Sequence, residues 1–423
     1  MRYSVTFKPT YNAAGLLGRV GSLLENVFVV SALTLFSGAF APLFGVTGQT
    51  KDGNPTMQLV YLAVYAISAG LMLLHLSSAG RVLRSGWWVV ALVLLALVSV
   101  DWSSAPSITI RRAIALGGST LFGLCIAARY DTRKQLALVA WASGIGVAFS
   151  LFVSIVAPIH GLGLHAHGTG WQGVFVHKNS LGRAMAFSSL IFMVLRTSRL
   201  RIPVVVYVLL PASLFLLIMS RSITSLVVLV VLMLALPAFR ILRMRSNLQL
   251  LSMLLATISL GFVANVMWYH AGEVVGALGR NLTVSGRTQL WRLVMSAVAQ
   301  RPWLGYGYSG FWLGWAGPSA GIWAQTGWMP PDAHNGWLDV LLALGAVGLG
   351  LFTVVLVLGF VRSVRYLRTH STSIGQWPLM FFAFLVLTNL TESSFLVRND
   401  IFWVVQVALT VRLGIALRGH QSR

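Results

Sequence analysis

The sequence predicts an all-α polytopic membrane protein with about 12 transmembrane helices and one large loop confined to a single side. Three observations predict it. Hydrophobic residues make up 57 % of the 423-residue chain, Asp, Glu, Lys and Arg only 9 %, and the mean hydropathy is +0.80; no soluble core of this length needs so little charge. Apolar runs of spanning or near-spanning length recur along the chain, separated mostly by short connections. Charge is also segregated: with the N-terminus inside, 20 of the 31 Lys and Arg fall in inside segments, while seven of the nine acids fall outside.

The runs lie near 27–45, 57–78, 86–100, 107–127, 135–158, 180–196, 203–219, 222–239, 248–269, 336–361, 376–391 and 400–417. Basic connections mark the inside: Arg81 and Arg84; Arg129, Arg133 and Lys134; Arg196, Arg199 and Arg201; Arg240, Arg243 and Arg245; Arg362, Arg365 and Arg368. Arg2, Lys8, Arg19, Arg412, Arg418 and Arg423 join them, so the expectation is an even-numbered bundle in a bacterial inner membrane with both termini cytoplasmic. The segment from Met1 to Glu25 is mixed and polar without a small-residue cleavage signal, so the first span is expected to be retained. The outside acids include Asp52, Asp101, Glu273, Asp332 and Glu392. Residues 1–423 read as a single integral membrane domain, with no internal repeat or low-complexity segment. Although the net charge is +22, the cations are scattered at loop ends and form no stripe, so nucleic acid is not an expected partner and membrane lipid is. Cys125 is the only cysteine, which excludes an intrachain disulfide and a cysteine metal cluster.

Two outside loops are long, at 160–179 and 270–335. Loops of that length in a compact protein are usually functional or disordered. The second is rich in Trp and Gly and reads as an ordered, membrane-apposed periplasmic loop containing an interfacial amphipathic helix. Ser285 is its candidate cap, and Leu290, Trp291, Val294, Ala297 and Val298 share one face. Arg287, one turn before Trp291, belongs to that inward face; Arg292 lies opposite and is expected to be solvated.

A cation at the outer mouth of a membrane helix is not explained by topology and is a functional candidate by default. Asp332-Ala333-His334-Asn335-Gly336-Trp337 opens the tenth span. The positive helix end favours a neutral His334 imidazole able to accept a proton, oriented by Asp332 or Glu392. The plainer alternative is an interfacial histidine that caps the helix, as Asn335 would. His177-Lys178-Asn179-Ser180 opens the sixth span, where Asn179 or Ser180 would cap and Lys178 with free N–H groups would make an anion site. An ordinary cap with a snorkelling lysine explains the same residues. Arg183 lies one turn deeper. Arg221 sits in the tightest outside turn, where its planar fork suits phosphate oxygens. Arg111 and Arg112 lie about one turn inside the fourth span, one expected to pair with Asp101 and one to face the cavity. His165 and His167, even with His177, sit among glycines that preorganise nothing, so no protein-bound metal is expected. Gly305-Tyr306-Gly307 follows no strand of a βαβ unit; it reads as a turn where backbone approaches something closely.

In chain order, Gly-x-Phe-x-His-Lys-Asn-x-Leu at 173–181, Ser-Arg-Ser at 220–222, Ser-Gly-Arg before Trp291, Pro-Trp-Leu-Gly-Tyr-Gly at 302–307 and His-Asn-Gly-Trp-Leu-Asp-Val-Leu-Leu-Ala-Leu-Gly-Ala-Val-Gly-Leu at 334–349 resemble the O-antigen ligase and Wzy-type polymerase family. The His177-Lys178-Asn179 form looks most like its exopolysaccharide-polymerase branch. The resemblance covers residues 100–400. It implies a GT-C-like glycosyltransferase that inverts the anomeric centre without metal or other cofactor. The implied donor is an undecaprenyl-diphosphate-linked oligosaccharide, the acceptor is a glycan or lipid-linked hydroxyl, and the chemistry is periplasmic. His334, Arg287 and Arg221 match its catalytic positions; Lys178, Asn179, Arg183, Arg111, Arg112 and Asn335 are substrate-binding candidates. A leaving diphosphate needs no acid to protonate it, which suits a face rich in Arg and poor in paired carboxylates, unlike a glycoside hydrolase. Trp171, Trp291, Trp303, Trp312, Trp315, Trp323, Trp328 and Trp337 are expected mostly as interface anchors, some as sugar-stacking platforms. Transfer of finished glycan onto a lipid A core or a protein is the neighbouring reading. A transporter or flippase is the more distant one, disfavoured because polar groups gather at one face and not at the midplane.

Overall fold

Every apolar run within the described residues becomes helix, as it must where lipid offers no partner for a free backbone N–H or C=O. The computed structural model describes residues 16–45, 54–74, 76–162, 170–198, 205–241, 287–370 and 373–421, and no strand occurs among them. The helices are α1 (Leu16–Phe36), α2 (Pro55–Leu73), α3 (Leu76–Val98), α4 (Pro106–Arg129), α5 (Thr132–Val156), the short α6 (Pro158–Gly161), α7 (Lys178–Thr197), α8 (Val205–Met219), α9 (Ile223–Ile241), α10 (Arg287–Gln300), the short α11 (Ala320–Thr326), α12 (Gly336–Thr369), α13 (Ser373–Thr388) and α14 (Ile401–Gln421). Among the described residues, seven helices are long and apolar enough to cross a membrane: α1 to α5, α12 and α14. Val205–Met219, Ile223–Ala235 and Ile374–Thr388 are apolar but shorter. The run expected at 248–269, the start of the long loop at 270–286 with its candidate cap Ser285, and the pair His165 and His167 lie outside the described residues.

Helices outrun their apolar cores at the basic end. Arg81 and Arg84, expected in a connection, lie in the first turns of α3. Arg129 ends α4, Arg196 lies in the last turn of α7, and Arg362, Arg365 and Arg368 ride on the final third of α12. Cations in a last helical turn interact favourably with the negative helix end, which explains the extension of α4, α7 and α12.

The centre of the bundle is α14, packed against α3, α4 and α12 and carrying the fully buried Trp403, Val404, Val407 and Leu409. Between helices in lipid, shape does the work that water does elsewhere, because lipid tails are as apolar as the side chains. An aromatic knot shows this: the Phe187 ring of α7 lies 5.1 Å from Phe402 of α14 and 5.3 Å from Phe384 of α13, with Trp377 and Phe381 within 6.0 Å. Such pairs are each worth about 0.5–1.5 kcal/mol. The knot fixes the start of α7 against the start of α14, one turn below Arg183.

The tenth span, expected as one continuous run, is broken. Gly345 adopts φ 63° and ψ −163° inside α12, dividing it into two helices end to end. The Pro302–Gly307 segment docks into the break. Ala346 N–H donates to the Pro302 carbonyl (2.8 Å) and Val347 N–H to that of Trp303 (3.2 Å), while Tyr306 N–H donates to the Leu342 carbonyl freed by the break (2.8 Å). The backbone that Gly305-Tyr306-Gly307 approaches closely is therefore the gap in α12, the one arrangement in which non-helical backbone is tolerated at such a place. A Cβ on Gly345 would strike the backbone of Trp303 and Leu304. Gly345→Ala is expected to destabilise the protein by at least ~1–3 kcal/mol, seen as a lower unfolding temperature of the purified protein. An unchanged unfolding temperature would show that the docked segment is not held by the break.

Candidate active site

Two loops meet at one end of the bundle, the turn into α12 and the connection between α13 and α14. Asn335 caps α12, its Oδ1 accepting from the N–H groups of Trp337 (3.0 Å) and Leu338 (3.3 Å). Gly336 follows because its N–H donates to the Asn389 carbonyl (3.0 Å) and a Cβ there would strike the Asn389 side chain. Asn389 in turn folds the second loop: its Oδ1 accepts from Ser394 N–H (2.8 Å) and Phe395 N–H (3.0 Å), and its Nδ2 donates to the Leu385 carbonyl and the Ser394 hydroxyl. This brings Glu392 to His334.

His334 is held by its backbone before its ring is considered. Its φ is 48°, a left-handed conformation that an ordinary residue keeps only when its surroundings over-determine it. They do. Asp332 Oδ1 accepts from His334 N–H (2.8 Å), Asp339 accepts from Ala333 N–H (3.1 and 3.2 Å), and Trp291 Nε1 donates to the Ala333 carbonyl (2.8 Å). Ser393 Oγ accepts from Asn335 N–H (3.1 Å) and itself donates to Asp339. Trp312 Nε1 completes the set around Asp339 (2.7 Å). Asp339 is thus the positioning carboxylate of the turn, and sequence reasoning missed it.

Glu392 is the centre of the side-chain cluster. Its Oε1 accepts from Arg287 (3.3 Å), at the first residue of α10, and from Asn179 Nδ2 (3.2 Å), in the first turn of α7. Its Oε2 lies 3.8 Å from His334 Nδ1, and Asp332 Oδ1 lies 3.6 Å from the same nitrogen. Trp328 stacks beside the imidazole, with ring centroids 5.8 Å apart. Burial pushes the Glu392 carboxyl up, but His334, Arg287 and Arg183 outweigh it and hold the group below its usual value, ionised. The helix terminus is not the main influence on the imidazole, as the sequence had suggested. Burial pulls His334 down, yet the Glu392 and Asp332 carboxylates outweigh burial and the Arg287 charge and raise it above the ordinary 6.5. A helix terminus is worth about 0.3–1 kcal/mol to a charge; opposite charges near 4 Å at a protein surface are worth about 4 kcal/mol.

The other candidates fall into place around this cluster or away from it. Arg183 lies over the Phe402 ring (5.2 Å to its centroid) and acts on both Glu392 and Asp400. The α7 cap is His177, not Asn179 or Ser180: its Nδ1 accepts from Asn179 N–H (3.2 Å), which leaves the Asn179 side chain for Glu392. The Lys178 stem runs beside Gly170 and the Ser220 carbonyl. Gly182 packs against the Ser220 and Ser222 side chains, so the 220–222 turn, with Arg221 at φ 52°, adjoins the first turns of α7. Arg111 and Arg112 have other surroundings: Arg111 Nε donates to the Ser107 carbonyl (3.1 Å) and Arg112 to that of Ser309 (3.4 Å). Arg292 is exposed. The tryptophans are less uniform than expected. Trp303 and Trp315 are exposed, but Trp291, Trp312 and Trp323 are tethers whose indole N–H groups hold the loop, Trp323 through the Pro330 carbonyl (3.0 Å).

Residues 184–353 match the family model described as O-antigen ligase. The chain is also similar to the exopolysaccharide production protein ExoQ of Rhizobium meliloti (strain 1021), at 25 % identity over 352 residues, covering 80 % of this chain and 76 % of that one. Both matches support the resemblance to the O-antigen ligase and Wzy-like family. The matched stretch of the family includes Arg221, Arg287, His334 and the broken helix α12, and stops before Glu392. The resemblance supports a polysaccharide-processing membrane enzyme. Glu392 had a signal in the sequence, an acid in a short connection on the acidic side. Asp339 had one too, a carboxylate inside an apolar run one turn from the cap.

A histidine NMR titration of the purified protein should place the His334 pKa above 6.5, and Glu392→Gln should lower it, since a carboxylate that stabilises imidazolium is removed. An unmoved titration in Glu392→Gln would break the pairing described here.

Proposed function

We propose that the protein is a membrane glycosyltransferase, a polysaccharide polymerase that moves oligosaccharide repeat units from undecaprenyl diphosphate to the hydroxyl of an acceptor glycan on the periplasmic face of the inner membrane. In this reading about 12 spans form a GT-C-like bundle, both termini are cytoplasmic, and the reaction inverts the anomeric centre without a metal. The observation that carries it is the single carboxylate, Glu392, that gathers His334, Arg287 and Asn179 from three separate segments at one end of the bundle.

Arg287 and Arg221 would clamp the diphosphate and stabilise charge as it leaves, with Lys178 and Arg183 adding positive potential. His334, in its neutral form, would take the acceptor proton through Nε2 as the hydroxyl attacks C1. Glu392 and Asp332, facing Nδ1, would stabilise the imidazolium that results. The raised pKa fits this role, because a more basic imidazole is a stronger acceptor once neutral, and the carboxylates that raise it are the ones that stabilise the product charge. The family description supports a second reading, ligation of polymerised glycan onto a lipid A core or protein. The relative's role in exopolysaccharide production favours the polymerase.

Purified protein supplied with a lipid-diphosphate oligosaccharide should extend it. His334→Ala should slow transfer by at least ~100-fold with donor binding retained, the lower end of what a positioned base contributes. Arg287→Lys should lose donor affinity as well, because the bidentate fork is gone. Retention of more than about a tenth of the rate in His334→Ala would remove it as the base. A loss of donor binding as severe as the loss of turnover would make it a phosphate ligand.

A further inference from the structure

At the other end of the bundle arginines of α3, α12 and α14 converge. Arg362 lies 26 residues beyond Gly336, on the half of α12 past the break at Gly345, among the cations that the charge pattern assigns to the inside and so opposite the outside turn at His334. Arg362 is half-buried between helices. Its guanidinium donates to the carbonyls of Ser85 on α3 (3.1 Å) and Thr410 on α14 (2.7 Å). Gly414 of α14 makes the room: a Cβ there would lie 2.8 Å from the Arg362 guanidinium. Arg365, one turn further along α12, and Arg418 of α14 lie within electrostatic reach of Arg362, Arg418 reaches the Arg84 carbonyl (3.5 Å), and Arg81 lies within electrostatic reach of Arg412. Only two acids fall on this side by sequence. Glu25 is bound to Arg129, and Asp131 caps α5 through Lys134 N–H (2.7 Å) and lies near Arg412.

Topology explains cations in the solvated connections of a membrane protein. It does not explain a guanidinium fixed by two backbone carbonyls between three helices, with two further arginines within electrostatic reach of it. Like charges gathered at one end of a bundle attract an anion, and the inside ends of spanning helices lie at the depth of lipid headgroups. Basic pockets between helix ends hold phosphate-bearing headgroups in this way, and planar guanidinium forks suit phosphate oxygens. We propose that the ends of α3, α12 and α14 form a binding site for the headgroup phosphate of an anionic phospholipid, with Arg362 at its base and Arg84, Arg365 and Arg418 at its rim. The site would fasten the second half of α12, below the break at Gly345, to the leaflet opposite the Glu392 cluster. It is independent of the transferase reading, since its test reads binding and not turnover.

The test uses the purified full chain in detergent, titrated in separate arms with phosphatidylglycerol, phosphatidylcholine and inorganic phosphate. Unfolding temperature and lipid retained in native mass spectrometry are followed. Phosphatidylglycerol should stabilise the protein saturably, and neither phosphatidylcholine nor phosphate should do so at equal concentration. The exposed-rim double variant Arg365→Gln/Arg418→Gln should fold and bind phosphatidylglycerol on the order of 25-fold more weakly, about fivefold per arginine. Arg196→Gln, a basic helix end on α7, should leave binding unchanged. Arg362→Gln should abolish saturation if it folds; the rim variant decides the matter if it does not. Equal affinity in the rim variant, an equal loss in Arg196→Gln, or an equal effect of inorganic phosphate would each overturn the proposal, the last by showing a site for free anion.

Discussion

The Glu392 carboxylate is the interaction on which the rest of the candidate site depends. It is largely buried, it is ionised, and it binds groups from three segments far apart in the chain: Asn179 at the start of α7, Arg287 at the start of α10 and His334 before α12. A buried carboxylate is costly unless it is paired and hydrogen-bonded, and removing one partner strands the others. The cluster therefore stands or falls as a unit. Its charge state follows from the same constraint: Glu392 stays ionised because two arginines and a histidine surround it, and the histidine is raised because two carboxylates surround it.

The fold supplies the rigidity that such a cluster needs. Helices bring the parts to one level, and the Phe187 knot locks α7, α13 and α14 beneath it. Two devices then refine the position of His334. Asp339 ties the turn 333–335 to Ser393 and Trp312, and the break at Gly345 lets the 302–307 segment brace the first half of α12. The left-handed backbone of His334 is stored strain, kept in place by hydrogen bonds on both sides of it. In the proposed reaction, a histidine held through its own backbone would lose little freedom when substrate binds, which is how positioning lowers a barrier.

Much of this was legible in the sequence because membrane helices are written in hydropathy, and cations at their outer ends stand out against it. Arg287 and His334, which lie together against Glu392, stand out that way, and the Asn335 cap was legible from its place before the run. What was not legible depends on backbone angles and on distant pairing. The apolar run at 336–361 is unbroken in composition, so only the φ of Gly345 reveals that it is two helices. His177 capping α7 reverses the local expectation because its ring nitrogen reaches Asn179 N–H first, freeing Asn179 for a partner 213 residues away. Asp339 reads as a lone acid on an apolar helix until the loops that it binds are folded around it. The carboxylates that raise His334 were also out of view from the helix terminus alone, because Glu392 lies 58 residues further along the chain.

In the proposed reaction the Glu392 cluster receives the lipid diphosphate. The most direct measurement is a structure of the protein bound to a non-transferable undecaprenyl diphosphate analogue. The diphosphate is expected within hydrogen-bond reach of Arg287 and Arg221, with His334 Nε2 turned to the position of the acceptor hydroxyl beside the sugar C1. A diphosphate bound elsewhere, such as among Arg362, Arg365 and Arg418 at the opposite end of the bundle, with the Glu392 cluster unchanged, would contradict it.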